Sequence, residues 1–380
     1  MDVPFFKHSL TKDNADDIAK VLNTPFLTSA GIGKSVEQQI GKYFGAPHSF
    51  LVNSWTNGAL ATLLALGLKP EDEVIVPAMT FIATANVVEL LGAKPVFVDI
   101  DPKSLLISTR QIEKAITNRT RGIIPVHLYG QMCDMKSIYG IAKENNLFVI
   151  EDAAHCFEGS RDGYLPGAYS DAAIFSFYAT KNITCGEGGA IITHDSKLAE
   201  KIRQTRLHGM SADAVDRFNN QSYNHWDMKC LGVKANLPDI LAALLPNQIS
   251  SVKEKLKIRH KIADCYREAF KNTNIQMQVV DPLCESAEHI FPIAVLPEKR
   301  DDAILLLNTE GVQVAVNYRM VPRLSYYKDK YKYKPTDFPV SWSWGEGTIT
   351  LPMFPNMSTE EQDHVISVVL SKLVPFLNSK

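Results

Sequence analysis

Two segments decide the fold and point to the chemistry: FVIEDAAHC (residues 148–156) and FSFYATKNITCGEGGAIIT (residues 175–193). Each begins with an apolar run typical of a buried strand. Asp152 stands at the carboxyl end of the first run, where an acid is costly to bury without a cationic partner. Lys181 follows the second run. We therefore expect an acid and a lysine at two strand ends.

An acid and a lysine placed in this way suit the chemistry of pyridoxal phosphate (PLP). The lysine forms an imine with the cofactor, and the acid keeps the pyridine nitrogen protonated so that the ring can accept electrons. The same spacing also fits an Asp–Lys ion pair that only stabilises the fold. The two interpretations stay open at this point.

Outward from these segments, short apolar runs alternate with helical patterns between about residues 49 and 193. This alternation predicts an α/β fold whose mostly parallel sheet is covered on both faces. No helical pattern joins the last two runs, so we expect their pairing to be antiparallel or irregular. In such sheets, ligands bind beyond the carboxyl ends of the strands. The seven runs are SFLVNS, EVIVPA, KPVFVDI, RGIIPVHL, LFVIED, AAIFSF and GAIIT.

The domain organisation predicted from the sequence has two parts. Residues 1–248 form an N-terminal segment and a large domain, and residues 249–380 form a smaller C-terminal α/β domain. In the smaller part, HIFPIAVL and VQVAVNY are predicted strands, and STEEQDHVISVVLSKLVPFL is a predicted closing helix. Ser358 and Glu361 have the spacing of a capping box at the start of that helix.

Composition argues against several classes of partner. The net charge of −2 gives no reason to expect nucleic acid or an anionic membrane surface. No apolar run reaches the roughly 18 residues of a membrane span, and the first residues lack the pattern of a signal peptide. The six cysteines include no CxxC pair. We therefore expect a cytoplasmic protein with reduced thiols and no metal site.

The stretch TSAGIGKS (residues 28–35) ends like a nucleotide-binding P-loop. The first glycine of that motif is replaced by Thr28, and a helical pattern rather than a strand precedes the stretch. We therefore interpret the resemblance to a P-loop as coincidental.

The block from Glu151 to Thr193 resembles the DegT-type nucleotide-sugar aminotransferases, which are fold-type I PLP enzymes. It matches the pattern of EDAAH, then FSF, a lysine, EGG and a threonine. The resemblance implies a large domain with a mostly parallel seven-stranded sheet and a smaller C-terminal α/β domain. It also favours the PLP interpretation over a structural ion pair. Further similar segments are DEVIVPAMTFIATANVVELLGAKPVFVDID, PVHLYGQMCDM, RLHGM, LGVKANLPDILAAL and LPMFPNMSTEE.

The resemblance implies roles for four residues around the PLP ring. Lys181 is the Schiff-base lysine, and Asp152 is the partner of the pyridine nitrogen. His155 approaches the phenolic oxygen of the cofactor, with a buried structural histidine as the alternative. Phe81 stacks on the ring, although by itself it would be assigned to the core.

The PLP phosphate is expected at the turn NSWTNGAL, where a helix begins. The resemblance implies contacts from Ser54, Trp55, Thr56 and Ser176. It also implies that Asn236 reaches in from the neighbouring subunit, so the enzyme is a homodimer with shared active sites. Trp55 replaces the small residue usual in relatives, and we expect its ring to point away from the phosphate or towards the substrate.

Three residues are candidates for contact with the substrate. Thr28 aligns with a loop at the sugar-nucleotide entrance, and Asn317 and Tyr318 belong to the segment VNYRMVPRL, which helps to form the sugar pocket. Relatives commonly carry histidine at the positions of Asn317 and Pro322. This departure leaves the identity of the sugar open.

The resemblance implies an aminotransferase that takes its amino group from L-glutamate and passes it to a nucleoside diphosphate (NDP)-linked keto sugar. The segments KNITC, RLHGM and KAN look most like members that aminate C4 of a 4-keto-6-deoxy sugar, with C3 enzymes as the alternative. The product would be an amino sugar for a surface polysaccharide such as lipopolysaccharide O-antigen. Related sugar dehydratases replace the lysine with histidine, and a non-catalytic relative would have lost Asp152 or Lys181.

Overall fold

A central sheet of seven strands organises the computed structural model, which describes residues 1–211 and 225–379. Each of the seven apolar runs overlaps one of its strands, so the predicted sheet is confirmed. The strands of the described chain are β1 His48–Val52, β2 Glu73–Pro77, β3 Lys94–Val98, β4 Thr120–Ile123, β5 Phe148–Asp152, β6 Ser160–Arg161, β7 Ala172–Ser176, β8 Gly189–Thr193, β9 Gln276–Met277, β10 Cys284–Glu285, β11 Phe291–Ala294 and β12 Thr348–Leu351.

The order of strands in the central sheet is β1-β8-β7-β5-β4-β2-β3. Strands β3, β2, β4, β5 and β7 pair in parallel, whereas β8 is antiparallel to both β7 and β1. The chain passes from β7 to β8 without a helix, and a connection of this kind returns antiparallel because parallel strands need a long crossover. The antiparallel expectation for the last two runs is confirmed.

Successive side chains of a strand point to opposite faces of the sheet. Since both sets are apolar here, helices cover both faces. Ile174 packs in one core with Leu63, whereas the ring of Phe175 stacks 4.6 Å from that of Phe44 in another. Within the described residues, the α-helices are α1 Lys12–Leu22, α2 Gly31–Phe44, α3 Trp55–Leu66, α4 Ala83–Leu90, α5 Thr109–Ala115, α6 Met135–Glu144, α7 Ser196–Thr205, α8 Asp239–Ala242, α9 Pro246–Ser250, α10 Val252–Phe270, α11 Arg300–Thr309, α12 Ser325–Tyr331, α13 Pro339–Gly347, α14 Thr359–Val368 and α15 Val374–Asn378.

A third core lies around the small antiparallel sheet β12-β11-β9. The prediction of a strand in HIFPIAVL is confirmed by β11, and the closing helix begins with the expected capping box at Ser358. The prediction of a strand in VQVAVNY is wrong. Val312 and Ala315 form only isolated bridges, to Val3 and Thr350.

The boundary between residues 248 and 249 stays a prediction, since residues on either side of it share cores. Val3 packs in the core of the small sheet, whereas Met320 and Trp344 pack in the core that contains α3. Within residues 1–211 and 225–379, no helix combines the length and apolar character needed to cross a membrane.

The GKS stretch lies in α2, and a side chain already occupies the start of that helix. Both carboxylate oxygens of Asp239 accept hydrogen bonds from backbone N–H groups, those of Ala30, Ile32 and Gly33, at 3.0–3.1 Å. An anion-binding helix start offers these same groups to a phosphate. Asp239 therefore takes the place that a phosphate would need, in agreement with the interpretation that this is no P-loop.

Candidate active site

The predicted site residues of the sheet meet because their strands end at one edge. Strand β1 is antiparallel to β8, which is antiparallel to β7, so β1 and β7 run in the same direction as β5. Ser54 after β1, Asp152 at the end of β5 and Ser176 at the end of β7 therefore lie at one edge. Together with Lys181 they line a cavity of about 540 Å³, a size typical of small-molecule sites.

Asp152 and its neighbour Glu151 make contacts on different sides of β5. The Glu151 carboxylate lies 2.6 Å from His127 Nε2, inside the protein. Asp152 lines the cavity, where its Oδ2 accepts a hydrogen bond from Thr84 Oγ1 at 2.8 Å and its Oδ1 accepts one from the Ala154 N–H at 3.1 Å. Burial raises the pKa of Asp152, and these hydrogen bonds with the charge of Lys181 oppose that rise. The result is a fixed carboxylate that faces the cavity.

Lys181 is a half-buried lysine in the loop that follows β7. Its Nζ lies 3.5 Å from His289 Nε2. Burial lowers the pKa of Lys181 to about 8, against the opposing charge of Asp152. An amine with this pKa is neutral in an appreciable fraction near physiological pH, which suits a nucleophile or a proton-transfer group.

His155 is buried with a fixed orientation. Its Nδ1 accepts a hydrogen bond from the Tyr129 N–H at 3.2 Å, so the neutral ring carries its proton on Nε2. That Nε2 lies 3.1 Å from Tyr318 Oη, and the Tyr318 ring lies 5.6 Å from the ring of Phe81. Burial, together with the charge of Lys181, lowers the pKa of His155 well below its ordinary value. The ring is therefore a neutral hydrogen-bond donor.

The start of α3 forms another wall of the cavity. Ser54 is the N-cap residue, and its Oγ accepts the N–H of Asn57 at 3.1 Å. Trp55 and Thr56 occupy the first turn, where N–H groups have no partner within the helix. Such a helix start attracts a phosphate, and hydroxyls of Ser54, Thr56 and Ser176 line the same cavity.

The Trp55 indole points away from this helix start. Its Nε1 donates to the Ile174 carbonyl at 3.1 Å, and the side chain packs in the core with only 6% of its surface exposed. Close packing of the backbone here depends on Gly189, where a Cβ would lie 2.4 Å from the Phe175 backbone oxygen and 3.1 Å from the Trp55 backbone nitrogen. The large residue therefore leaves the backbone of the turn available.

These features fit PLP: a buried acid for the ring nitrogen, a lysine of lowered pKa, and a helix start with hydroxyls for the phosphate. Phe81 also lines the cavity, with 53% of its surface exposed. Asn317 and Tyr318 also line the cavity, and the Asn317 carbonyl accepts a hydrogen bond from Tyr129 Oη at 2.7 Å.

Thr28 and Asn236 lie apart from the cavity that this chain forms. Asn236 Nδ2 donates to Ser29 Oγ at 2.6 Å and approaches Thr28 Oγ1 at 3.4 Å. Thr28 is exposed. The two predicted site residues therefore contact each other, and neither is among the described residues that line the cavity.

Four residues of the site were not predicted from the sequence, namely Thr84, Tyr129, Asn182 and His289. Thr84 binds Asp152, and Tyr129 adopts a left-handed conformation with a φ of 65° next to His155. Asn182 directly follows Lys181 in the chain, so proximity to the lysine was an available signal for it. His289 precedes a short apolar strand, and nothing in that local pattern distinguishes it.

The fold and this site define a class of protein, the PLP-dependent aminotransferases of fold-type I. The chain belongs to the DegT/DnrJ/EryC1/StrS aminotransferase family, whose sequence model matches residues 8–370. It is 35% identical over 373 residues to the spore coat polysaccharide biosynthesis protein SpsC of Bacillus subtilis, an alignment that covers 97% of this chain and 96% of SpsC.

Solved structures agree with this assignment. The putative sugar aminotransferase Spr1654 from Streptococcus pneumoniae, in its pyridoxamine phosphate (PMP) form, superposes with a TM-score of 0.92 and 28% identity, over 98% of this chain and 100% of that one. DesV from S. venezuelae gives a TM-score of 0.87 and 28% identity, over 97% and 95% of the two chains. Spr1654 was also solved in a PLP form. The protein is therefore a sugar aminotransferase that uses PLP.

Proposed function

We propose that this enzyme moves an amino group from L-glutamate to C4 of an NDP-linked 4-keto-6-deoxy sugar. The observation that best supports the proposed site is that Asp152 and Lys181 line one cavity beside the start of α3. SpsC is named for the biosynthesis of spore coat polysaccharide, which supports an amino sugar for a surface polysaccharide as the product.

Different residues of the cavity bind different parts of the cofactor. Asp152 holds the ring nitrogen, and Phe81 packs on the ring face. Ser54, Thr56, Ser176 and the Trp55 backbone, which lie around the start of α3, hold the phosphate. When bound, PLP supplies a protonated pyridine ring that accepts electrons from the substrate carbon.

Lys181 is the lysine that bonds to the cofactor and then carries the proton. Its pKa of about 8 lies close to working pH, so Nζ can both take a proton from the substrate carbon and return one. Asp152 opposes a further fall in this pKa. Each residue therefore favours the charged form of the other.

With PLP bound, His155 would donate a hydrogen bond from Nε2, which lies 3.1 Å from Tyr318 Oη in this structure, towards the phenolic oxygen of the cofactor. Its proton is fixed on that nitrogen by the Tyr129 N–H, so the donor needs no rearrangement. Tyr318 and Asn317 line the same cavity and would contact the sugar there.

A homodimer completes the proposed site. Within one chain, Asn236 contacts Ser29 and Thr28 rather than the cavity. This placement supports a role of Asn236 at the phosphate of the neighbouring subunit, with Thr28 at the sugar-nucleotide entrance. An active species that is strictly monomeric in solution would contradict the shared site.

The test of this function is a visible absorbance spectrum of the PLP-loaded enzyme before and after L-glutamate. We expect glutamate to remove the absorbance of the lysine-linked cofactor, and one 4-keto-6-deoxy sugar linked to dTDP, GDP or UDP to restore it. Restoration by 3-keto sugars alone would contradict amination at C4. The matched control is Lys181→Ala, which should lack the initial absorbance, and full transaminase activity in that variant would refute the role of Lys181.

A further inference from the structure

His289 lies just before β11, and its side chain is next to that of Lys181. Only 4% of its surface is exposed. Its Nε2 lies 3.5 Å from Lys181 Nζ, its Nδ1 lies 2.9 Å from Asn182 Oδ1, and its ring lies 4.4 Å from that of His155. Each nitrogen of this buried imidazole therefore has one side-chain partner.

The tautomer of His289 is set by Asn182. The Asn182 Nδ2 donates to Glu158 Oε1 at 2.6 Å and to the Ala287 carbonyl at 3.0 Å. A carbonyl oxygen can only accept, so the amide nitrogen must face Ala287 and Oδ1 must face His289. Since Oδ1 also only accepts, His289 Nδ1 carries the proton. The Nε2 of the neutral ring therefore presents a lone pair to Lys181.

The surroundings keep His289 neutral. Arg259 is buried and its Nη1 lies 3.3 Å from the His289 carbonyl oxygen, so a positive charge already lies beside the histidine. Burial and the neighbouring groups His155, Lys181 and Arg259 all lower the pKa of His289 well below its ordinary value. A neutral acceptor can bind Lys181 in its amine form and, more strongly, in its ammonium form.

We propose that His289 is a positioning residue that holds Lys181 Nζ for proton transfer, and that Asn182 fixes the tautomer needed for this contact. The proposal rests on the role of Lys181 proposed above. Among the described residues, Asp152, His155 and His289 interact electrostatically with Lys181, and Tyr178, Tyr318 and Glu187 line cavities next to it. Among them only His289 offers a lone pair with its proton held on the far nitrogen.

Two substitutions separate this role from a structural one. In His289→Asn, the amide reaches the position of Nδ1, so the bond to Asn182 is kept and the contact with Lys181 is lost. In His289→Gln, the amide reaches the position of Nε2 and can offer an oxygen to Lys181, while the bond to Asn182 is lost. If His289 only stabilises the fold through Asn182, His289→Asn should resemble the wild type more closely. If His289 positions Lys181, His289→Gln should resemble the wild type more closely.

The measurement is the pH dependence of Lys181 acetylation in the full-length enzyme freed of cofactor, read by mass spectrometry of the Lys181 peptide. We expect a midpoint near 8 for the wild type. Loss of one hydrogen bond to a charged group should lower it by about one pH unit in His289→Asn. His289→Gln should keep the wild-type midpoint. The reverse pattern, or an equal shift in both variants, would overturn the proposal.

A second measurement needs no variant. Nitrogen NMR of the wild-type protein labelled at histidine should show one buried ring with its proton on Nδ1 and an unprotonated Nε2, and a proton on Nε2 of His289 would overturn the proposal. Borohydride reduction of the loaded enzyme, followed by peptide mapping, reports separately whether Lys181 bonds to the cofactor. Failure of the proposed function and failure of the His289 proposal are therefore distinguishable.

Discussion

The lysine that carries the proposed chemistry should destabilise the protein that contains it. Burial lowers the pKa of Lys181 to about 8 from its ordinary value of 10.5. A lysine whose charged form is disfavoured in the folded state makes folding less favourable whenever that charge is present. We therefore predict that Lys181→Met raises the free energy of unfolding of the cofactor-free protein at pH 7.

The magnitude follows from the difference between the two pKa values. Each unit corresponds to about 1.36 kcal/mol, so a shift from 10.5 to about 8 sets an upper limit of about 3 kcal/mol. Because Lys181 is only half-buried and lines an open cavity, solvent screening reduces the expected effect to about 2 kcal/mol. Methionine has a similar length, so little packing is lost.

The size of this penalty, but not its sign, changes with pH in a defined window. Below pH 8 the lysine is charged in both states, and the folded state bears the full penalty. Between pH 8 and 10.5 the folded protein releases the proton while the unfolded chain keeps it, so wild-type stability rises relative to Lys181→Met. Above that window the lysine is neutral in both states, and the penalty is gone.

Urea unfolding of both cofactor-free proteins, at one protein concentration and at several pH values from 7 to 10, measures this difference. We expect Lys181→Met to be the more stable variant at pH 7, with an advantage that shrinks as the pH rises. Lys253→Met is the matched control, because Lys253 is exposed in α10. A difference that stays constant over the pH range, or a wild type that is more stable at pH 7, would refute the reasoning.

Three further substitutions test other parts of the fold and site. Gly189→Ala should lower the free energy of unfolding in urea by about 1–3 kcal/mol and weaken PLP binding, because its Cβ would lie 2.4 Å from a β7 backbone oxygen. The control is Gly140→Ala, in open space on α6, which should be neutral or stabilising in the same urea titration. Asp239→Ala should cost about 2–3 kcal/mol in that titration, since three N–H groups at the start of α2 lose their acceptor. Thr84→Val should raise the pKa of Asp152 and lower kcat/KM about tenfold at neutral pH, less at higher pH, and a pH-independent loss would contradict this.

The central sheet was predictable because its strands are buried on both faces. Strands β2 and β8 are buried at every position, so apart from Glu73 and Thr193 at their ends they appear in the sequence as apolar runs. The antiparallel return of β8 was also a local property, since it depends on the absence of a crossover helix between two known runs. Both predictions needed information from neighbouring residues only.

The segment VQVAVNY shows where local pattern fails. Its alternation of valine with other residues is typical of a strand. A strand also needs a partner over several residues, and here Val312 bridges Val3 near the start of the chain while Ala315 bridges Thr350. The partners change after a few residues, so no continuous ladder forms. Alternation of residues indicates a half-buried surface, but it does not indicate whether the segment pairs with a neighbouring strand.

The candidate site also contains residues that local sequence predicts and residues that only long-range contacts reveal. Asp152 and Ser176 were predictable because each ends a strand, and strand direction alone brings them to one edge. His289 depends on a contact with a residue 108 positions away, made only when the segment before β11 folds against the loop that follows β7. The meaning of that contact depends in turn on Asn182 and Ala287, which fix the protons of the ring. Residues at strand ends can therefore be found from sequence, whereas residues that set the orientation and protonation of other side chains emerge only from three-dimensional contacts.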